Sequence, residues 1–252
     1  MAAEIECYVL LPDMEGSTLD GFWGPVDQAL KDAGVALIRI EKERGDQQYE
    51  LVTQVTTPET LVHWLTIIKD TITTHASNAG LRVTFDAKAF EDQPSSGLHL
   101  HLHLSDREGI NAMHKTEEWS SDVLRWSLGG LLADMPRVLP IFCPGEHSVY
   151  RFDDADHVPR VNGWGVNNRY CALRIPANED LYDKRIEHRV PGADAEPLAA
   201  ITAMLEGVLK GLLERIEPPE QEYGKPVIGF LNSLAVTPSH DGDQLTQSEM
   251  PS

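Results

Sequence analysis

Basic residues are scarce in this sequence: 21 Lys and Arg stand against 40 Asp and Glu, a formal charge of −19. A surface of that sign repels nucleic-acid phosphates and anionic bilayers, so neither is an expected partner. Long apolar runs are also absent. No stretch reaches the roughly 18 residues a membrane helix needs, and the N-terminal region has no basic segment followed by an apolar one. The expected setting is the cytoplasm. Cysteine is sparse too, with only Cys7, Cys143 and Cys171, an odd and widely spaced set. It suits neither a disulfide framework nor a thiolate metal cluster, and packing is the expected role. Two readings of the acidic excess remain: a solubilising surface, or carboxylates gathered where a cation binds.

What is present suffices for a sizeable core, because 41% of the 252 residues are hydrophobic. The segment "IECYVLL" reads as a first strand stopped by Pro12. A short helix is expected from Pro25 to Ala33, followed by strands at "VALIRI" and "YELVTQV". From Pro58 to Asn78, Leu61, Trp64, Leu65, Ile68 and Ile72 recur at three- and four-residue steps, which predicts a core-facing helix. Strands follow at "LRVTF" and "SGLHLHLHL". The latter alternates strictly and places His99, His101 and His103 on one face. A helix from about Glu117 to Met135, strands at "CALRIP" and "KRIEHRV", and a helix from Glu196 to Ile216 complete an α+β body around a mainly antiparallel sheet. Beyond Pro218 the chain has little to bury, and residues 220–252 are expected to form a disordered extension.

Several patterns could carry chemistry. Glu4 and Glu6 share one strand face, as do Arg185, Glu187 and Arg189, while Glu43 and Glu50 bracket a glycine-containing turn. Each alone is equally well an exposed pair or a salt-bridge ladder. Three imidazoles on one strand face either face solvent or bind a metal, phosphate or carboxylates.

Taken in order, these blocks resemble the catalytic domain of the glutamine synthetase family. Glu4-Ile5-Glu6 resembles its Glu-x-Glu strand, and Gln48-Tyr49-Glu50 is closer to the γ-glutamylamine synthetase branches. Ser96-Gly97-Leu98-His99-Leu100-His101 is similar to the Ser-Gly-Met-His-x-His block. "GGLLADMPRVLPIFCPGEHSVYRF", "NNRYCALRIP" and "KRIEHRVPGADAEP" resemble the three arginine-bearing blocks that follow. The resemblance makes residues 1–219 the catalytic domain.

What the resemblance implies is a curved sheet lining the active site, helices behind it, and an amide-forming ligase that uses ATP and two or more Mg2+ or Mn2+ ions. It implies Glu6, Glu43 and Glu50 as ligands of one cation and Glu4, His99 and Glu187 as ligands of the other. Glu6, His99, Arg151 and Arg189 fall to the amino-acid substrate, His101, His103, Arg174 and Arg185 to the nucleotide's phosphates, and Arg169, His157 and Glu43 to catalysis. His157 stands where the family has its flap glutamate. Only 36 residues lie between Glu6 and Glu43, where the family has a longer insertion beside the amine, and Pro94-Ser95 replaces its Asn-Gly. An organic amine is therefore expected rather than ammonium. The resemblance starts at Glu4, so no counterpart of the family's N-terminal β-grasp domain is expected in this sequence. A homo-oligomer, or a separate subunit supplying that domain, is the expected assembly. The alternative function is a homologue that binds nucleotide or metal without turnover, or only with a partner.

Overall fold

The computed structural model describes residues 1–11, 19, 21–114, 121–154, 156–176 and 184–234. Its elements are β1 (Ala2–Leu10), α1 (Trp23–Asp32), β2 (Leu37–Lys42), β3 (Gln48–Thr53), α2 (Pro58–Asn78), β4 (Arg82–Thr84), β5 (Leu98–Leu102), α3 (Asp122–Phe142), β6 (Val161–Val166), β7 (Cys171–Ile175), β8 (Ile186–His188), α4 (Pro197–Glu214) and α5 (Phe230–Ser233). The strands form one sheet in the order β2-β3-β1-β5-β8-β7-β6, with β4 paired to the last residues of β1, Tyr8 to Leu10, beyond the reach of β5. Every pairing is antiparallel except that of β6 with β7. The expected α+β architecture is what the chain adopts, an open sheet with helices packed behind it.

β1 sits near the centre because its alternation is the cleanest. Ala3, Ile5, Cys7 and Val9 are fully buried, while Glu4 and Glu6 project from the opposite face. Behind the sheet, Leu61, Leu65, Ile68 and Ile72 of α2 are fully buried, each contributing about 2 kcal/mol of apolar burial. The Thr57 side chain caps α2 by accepting from the Thr60 amide (3.3 Å), with Pro58 beginning the helix. Cys7, Cys143 and Cys171 are buried and unpaired, as packing residues should be. Among the described residues, no helix is long and apolar enough to cross a membrane.

Three boundaries differ from the sequence reading. The expected start of α3 near Glu117, like Pro12, lies outside the described residues, and the helix runs on past Met135 to Phe142. Pro136 removes an amide donor, which leaves the Leu132 carbonyl to accept from Asn162 Nδ2 instead (3.1 Å). A side chain from β6 thus supplies the bond that proline takes away. The strand at "VNGWGV" was not expected, because two glycines lower its strand propensity. Of the expected extension, residues 220–234 are described and pack along β6, with α5 at their end; residues 235–252 lie outside the described residues.

Helices α3 and α4 approach so closely that only glycine fits between them. A Cβ on Gly130 would lie 2.2 Å from the Gly207 carbonyl oxygen, and one on Gly211 would lie 2.0 Å from that of Trp126. These obstacles are backbone atoms, which cannot rotate aside. Replacing glycine by alanine within a helix gains up to about 1 kcal/mol in propensity, whereas overpacking a tight contact costs about 1–3 kcal/mol or more. Gly130→Ala is therefore expected to lower the unfolding free energy by about 2 kcal/mol in urea denaturation; unchanged or increased stability would refute the close-contact account.

Candidate functional site

The strands bring their polar face together residue by residue. Glu41 of β2 stands opposite Glu50 of β3, Glu50 opposite Glu6 of β1, and Glu4 opposite His99 of β5. His101 stands opposite Glu187 of β8, which is in turn opposite Arg174 of β7. One sheet face thereby becomes the floor of a cleft of about 200 Å3. It is lined by every expected site residue except His101, His103 and Arg185. Those three line an adjoining cavity of about 280 Å3, which shares Glu4 and Arg39 with the first.

On the β7–β8 side the charges are compensated. Glu187 is 1% exposed and receives Arg174 Nη1 at 2.7 Å and a close bond from Arg189 Nη1. Burial alone would raise its pKa, but the arginine and histidine charges, Arg189 foremost, hold it down at about 2. Glu4 behaves likewise. Burial pushes its carboxyl up, yet the ring nitrogens of His101 (Nε2) and His99 (Nδ1), each 3.2 Å away, bring it below the ordinary value. His99 is pushed down to about 4, by burial first and by Arg189 second, so at neutral pH it is the uncharged imidazole that can ligate a metal.

On the β1–β3 side compensation is incomplete. Burial raises Glu6 to about 7, although the Gly97 amide donates to it at 2.8 Å. Burial and the neighbouring Glu4, Glu6 and Glu43 carboxylates raise Glu50 to about 8 against the pull of Arg39, 3.1 Å away. The donor sets Glu4–His99–Glu187, Glu6–Glu50–His99 and Glu41–Glu43–Glu50 each place ligand atoms within 4.8 Å of one another. Crowded carboxylates that retain protons for want of positive charge are a fitting seat for divalent cations, and oxygen-rich sets suit magnesium or manganese.

Polar side chains brace the floor from beneath. Gln48 donates to the Ser95 carbonyl (3.0 Å) and accepts from the Gly45 amide (3.0 Å), tying the turn between β2 and β3 to the loop before β5. Arg151 is 2% exposed and donates through Nη1 to the carbonyls of Arg189 (3.1 Å) and Val190 (2.9 Å). A Cβ on Gly97 would fall 2.8 Å from Arg151 Nη2 and 2.9 Å from His99 Nε2, so only glycine leaves both groups their space.

At the mouth, His157 adopts a left-handed backbone (φ 63°), unusual for a residue with a Cβ. Its carbonyl accepts from Arg189 Nη2 at 2.8 Å, and its Nδ1 lies 3.1 Å from Arg44 Nη1 and 3.5 Å from Arg169 Nη1. Guanidinium groups only donate, so Nδ1 is the accepting nitrogen. Burial, Arg44 and Arg169 push the imidazole's pKa down. Arg39, Glu41 and Arg44 were not anticipated. The alternation of "LIRIEK" would have placed Arg39 and Glu41 on the face that pairs toward Glu50, whereas Arg44 belongs to a turn and leaves no periodic signal.

Comparison with known proteins identifies the family. The description "Glutamine synthetase, catalytic domain" matches residues 15–227, a span that begins after Glu4 and Glu6. The chain is similar to gamma-glutamylputrescine synthetase PuuA of Escherichia coli (strain K12), 35% identical over 144 residues, which is 57% of this chain and 30% of that protein. It is also similar to glutamate–isopropylamine ligase of a Pseudomonas species, 28% identical over 234 residues, covering 92% of this chain and 49% of the relative. A glutamine synthetase of Pyrococcus abyssi (strain GE5 / Orsay) is 31% identical over 183 residues, 71% of this chain and 40% of its own length. The chain thus spans less than half the length of each of these relatives. With the catalytic-domain match taking in most of its residues, the chain belongs to the glutamine synthetase family.

Proposed function

We propose that this chain is an ATP-dependent carboxylate–amine ligase that phosphorylates glutamate or a similar amino acid and transfers the acyl group to an organic amine. The observation supporting this reading is the cleft in which carboxylates and a neutral imidazole face the guanidiniums of Arg151, Arg169, Arg174 and Arg189. The names of two relatives, a gamma-glutamylputrescine synthetase and a glutamate–isopropylamine ligase, favour an organic amine over ammonium.

In the first half-reaction a carboxylate oxygen attacks the terminal phosphorus of ATP, ADP departs, and an acyl phosphate remains. In the second, the amine nitrogen attacks the acyl carbon, phosphate leaves, and the nitrogen loses a proton. Divalent cations held by Glu4, His99 and Glu187, and by Glu6, Glu43 and Glu50, would offset the repulsion between triphosphate and carboxylate. Arg151 and Arg189, fixed by backbone carbonyls, grip the amino acid's carboxylate. Arg169 and Arg174 face the transferring phosphate. His101, His103 and Arg185 hold the nucleotide's phosphates in the adjoining cavity. His157 takes the amine's proton at Nδ1.

ADP release with magnesium and ATP, screened over amino acids with and without amines, tests the reading directly. Amine-dependent release with an equivalent amide product is expected, and ATP binding without turnover across the panel would favour a non-catalytic relative. His157→Gln is expected to slow amide formation about a hundredfold, and an undiminished rate at saturating substrates would exclude it as the base.

The metal assignment has a pH signature. Glu6 and Glu50 keep protons in the folded state that an unfolded chain, with ordinary carboxylates, releases. Their contribution is fully present below the ordinary carboxylate pKa and disappears as pH rises through about 7 and about 8. In a chelator, the melting temperature should therefore fall across that window, and magnesium or manganese should restore it most at the alkaline end. Glu50→Gln should raise the metal-free melting temperature at alkaline pH and weaken the metal's stabilisation. Loss of stability without metal, with full metal stabilisation retained, would overturn the assignment.

A further inference from the structure

Two carboxylates lining the reaction cleft, Asp154 and Asp156, belong to none of its metal donor sets. Asp156 is engaged at the surface, 48% exposed and paired with Lys225 at 3.2 Å. Asp154 is different. Its side chain is only 13% exposed, and both of its oxygens are fixed: Lys88 Nζ makes a close bond to Oδ1, and the Ser95 amide donates to Oδ2 at 2.7 Å. Lys88, itself 12% exposed, also donates to the Gln93 carbonyl (2.9 Å).

The wall around Asp154 is tied down as well. The Tyr8 hydroxyl donates to the Pro94 carbonyl (2.7 Å), Gln48 Nε2 donates to the Ser95 carbonyl (3.0 Å), and Arg160 makes a close bond to Asp154's own carbonyl. Pro94 has no amide hydrogen, and the carbonyls of residues 93–95 each serve a protein donor already. What this wall has to offer a ligand is therefore the Asp154 carboxylate. An ionised carboxyl can accept about four hydrogen bonds, and Lys88 and Ser95 leave room for another donor.

Arg151, three residues earlier in the helical turn Ser148–Asp153, brings the opposite charge to the same part of the cleft. The two are near enough that the Asp154 carboxylate favours the charged form of the Arg151 guanidinium. An α-amino acid carries its carboxylate and its ammonium on one carbon. A site that grips the carboxylate with guanidiniums alone would take a plain dicarboxylic acid equally well, and discrimination requires an anion beside them for the ammonium.

We propose that Asp154 receives the α-ammonium of the amino acid whose carboxylate Arg151 and Arg189 grip, and thereby selects an amino acid over a simple dicarboxylic acid. This rests on the ligase reading and adds to it the residue that chooses the acid. Lys88 is a positioning residue, joining Asp154 to the Gln93 carbonyl without touching the substrate.

The test compares L-glutamate with glutarate, which lacks the ammonium, by ADP release at a saturating amine concentration and by calorimetric binding. The unaltered chain should favour glutamate. Asp154→Asn should lower kcat/KM and binding for glutamate about thirtyfold and those for glutarate by less than about threefold. Because that substitution strands the buried Lys88 cation, Asp154→Asn combined with Lys88→Met removes both charges and should show the same loss of discrimination. No preference for glutamate in the unaltered chain, or variants that lose both acids equally, would overturn the proposal. An Asp154-dependent preference for glutamate in binding, without ADP release, would leave the acid site standing and the ligase reading lost; amine-dependent ADP release whose preference for glutamate survives Asp154→Asn would do the reverse.

Discussion

Carboxylates pressed together on one face of a sheet are the constraint to which the remainder of this fold responds. Glu4, Glu6, Glu50 and Glu187 lie in register on neighbouring strands, and burying an ionised carboxylate without a partner costs several kcal/mol. Each therefore requires an answer. Glu187 has two guanidiniums and Glu4 has two imidazoles, so both remain ionised. Glu6 meets the Gly97 and Gln48 amides and the more distant charges of Arg151 and Arg189, and Glu50 meets Arg39, which leaves burial dominant, so they hold their protons to about 7 and about 8. The cleft is consequently polarised, deficient in positive charge beside β1 and β3 and supplied with guanidiniums beside β7 and β8. A polyanion bridged by cations on one flank and met by arginines on the other satisfies both flanks at once.

That polarity depends on strand register. A one-residue slip of β1 would turn Ile5 and Cys7 into the cleft and Glu4 and Glu6 into the core. Such a slip is opposed twice over. It would strip β1 of its fully buried apolar face, and it would break the pairings of Glu6 with Glu50 and of Glu4 with His99. Behind the sheet, the glycine contacts between α3 and α4 serve the same end, because helices whose backbones nearly touch have little freedom to shift.

Which parts were legible in the sequence follows from periodicity. The Glu-x-Glu strand, the alternating histidine strand and the Arg-x-Glu-x-Arg strand each follow a strict two-residue repeat, so their shared faces could be read directly. The helical spacing of Leu61 to Ile72 was as plain. β6 was not, because Gly163 and Gly165 weaken its strand signature, and those glycines meet a contact distant in sequence, the segment around Glu222 that packs along β6. The continuation of α3 past Pro136 escaped for a similar reason, since the compensating donor, Asn162, belongs to another element. Local rules failed where long-range contacts supplied what the local sequence lacked. Arg44 and the left-handed backbone of His157 lie in turns, where side-chain direction has no period to follow.

On the proposed reading, His157 and the arginines beside it couple the two half-reactions. His157 can accept a proton only at Nδ1, the atom that Arg44 and Arg169 engage when no phosphate is present. A phosphate is a far stronger partner for a guanidinium than a neutral imidazole is. On that reading, a phosphate in the cleft would draw the arginines and free Nδ1, whereas their contact with Nδ1 otherwise engages its lone pair. Burial and the two neighbouring arginines also push the imidazole's pKa down, since a third positive charge among them is disfavoured. A base for the amine would then depend on a phosphate having entered the cleft, a consequence of which partner the arginines prefer.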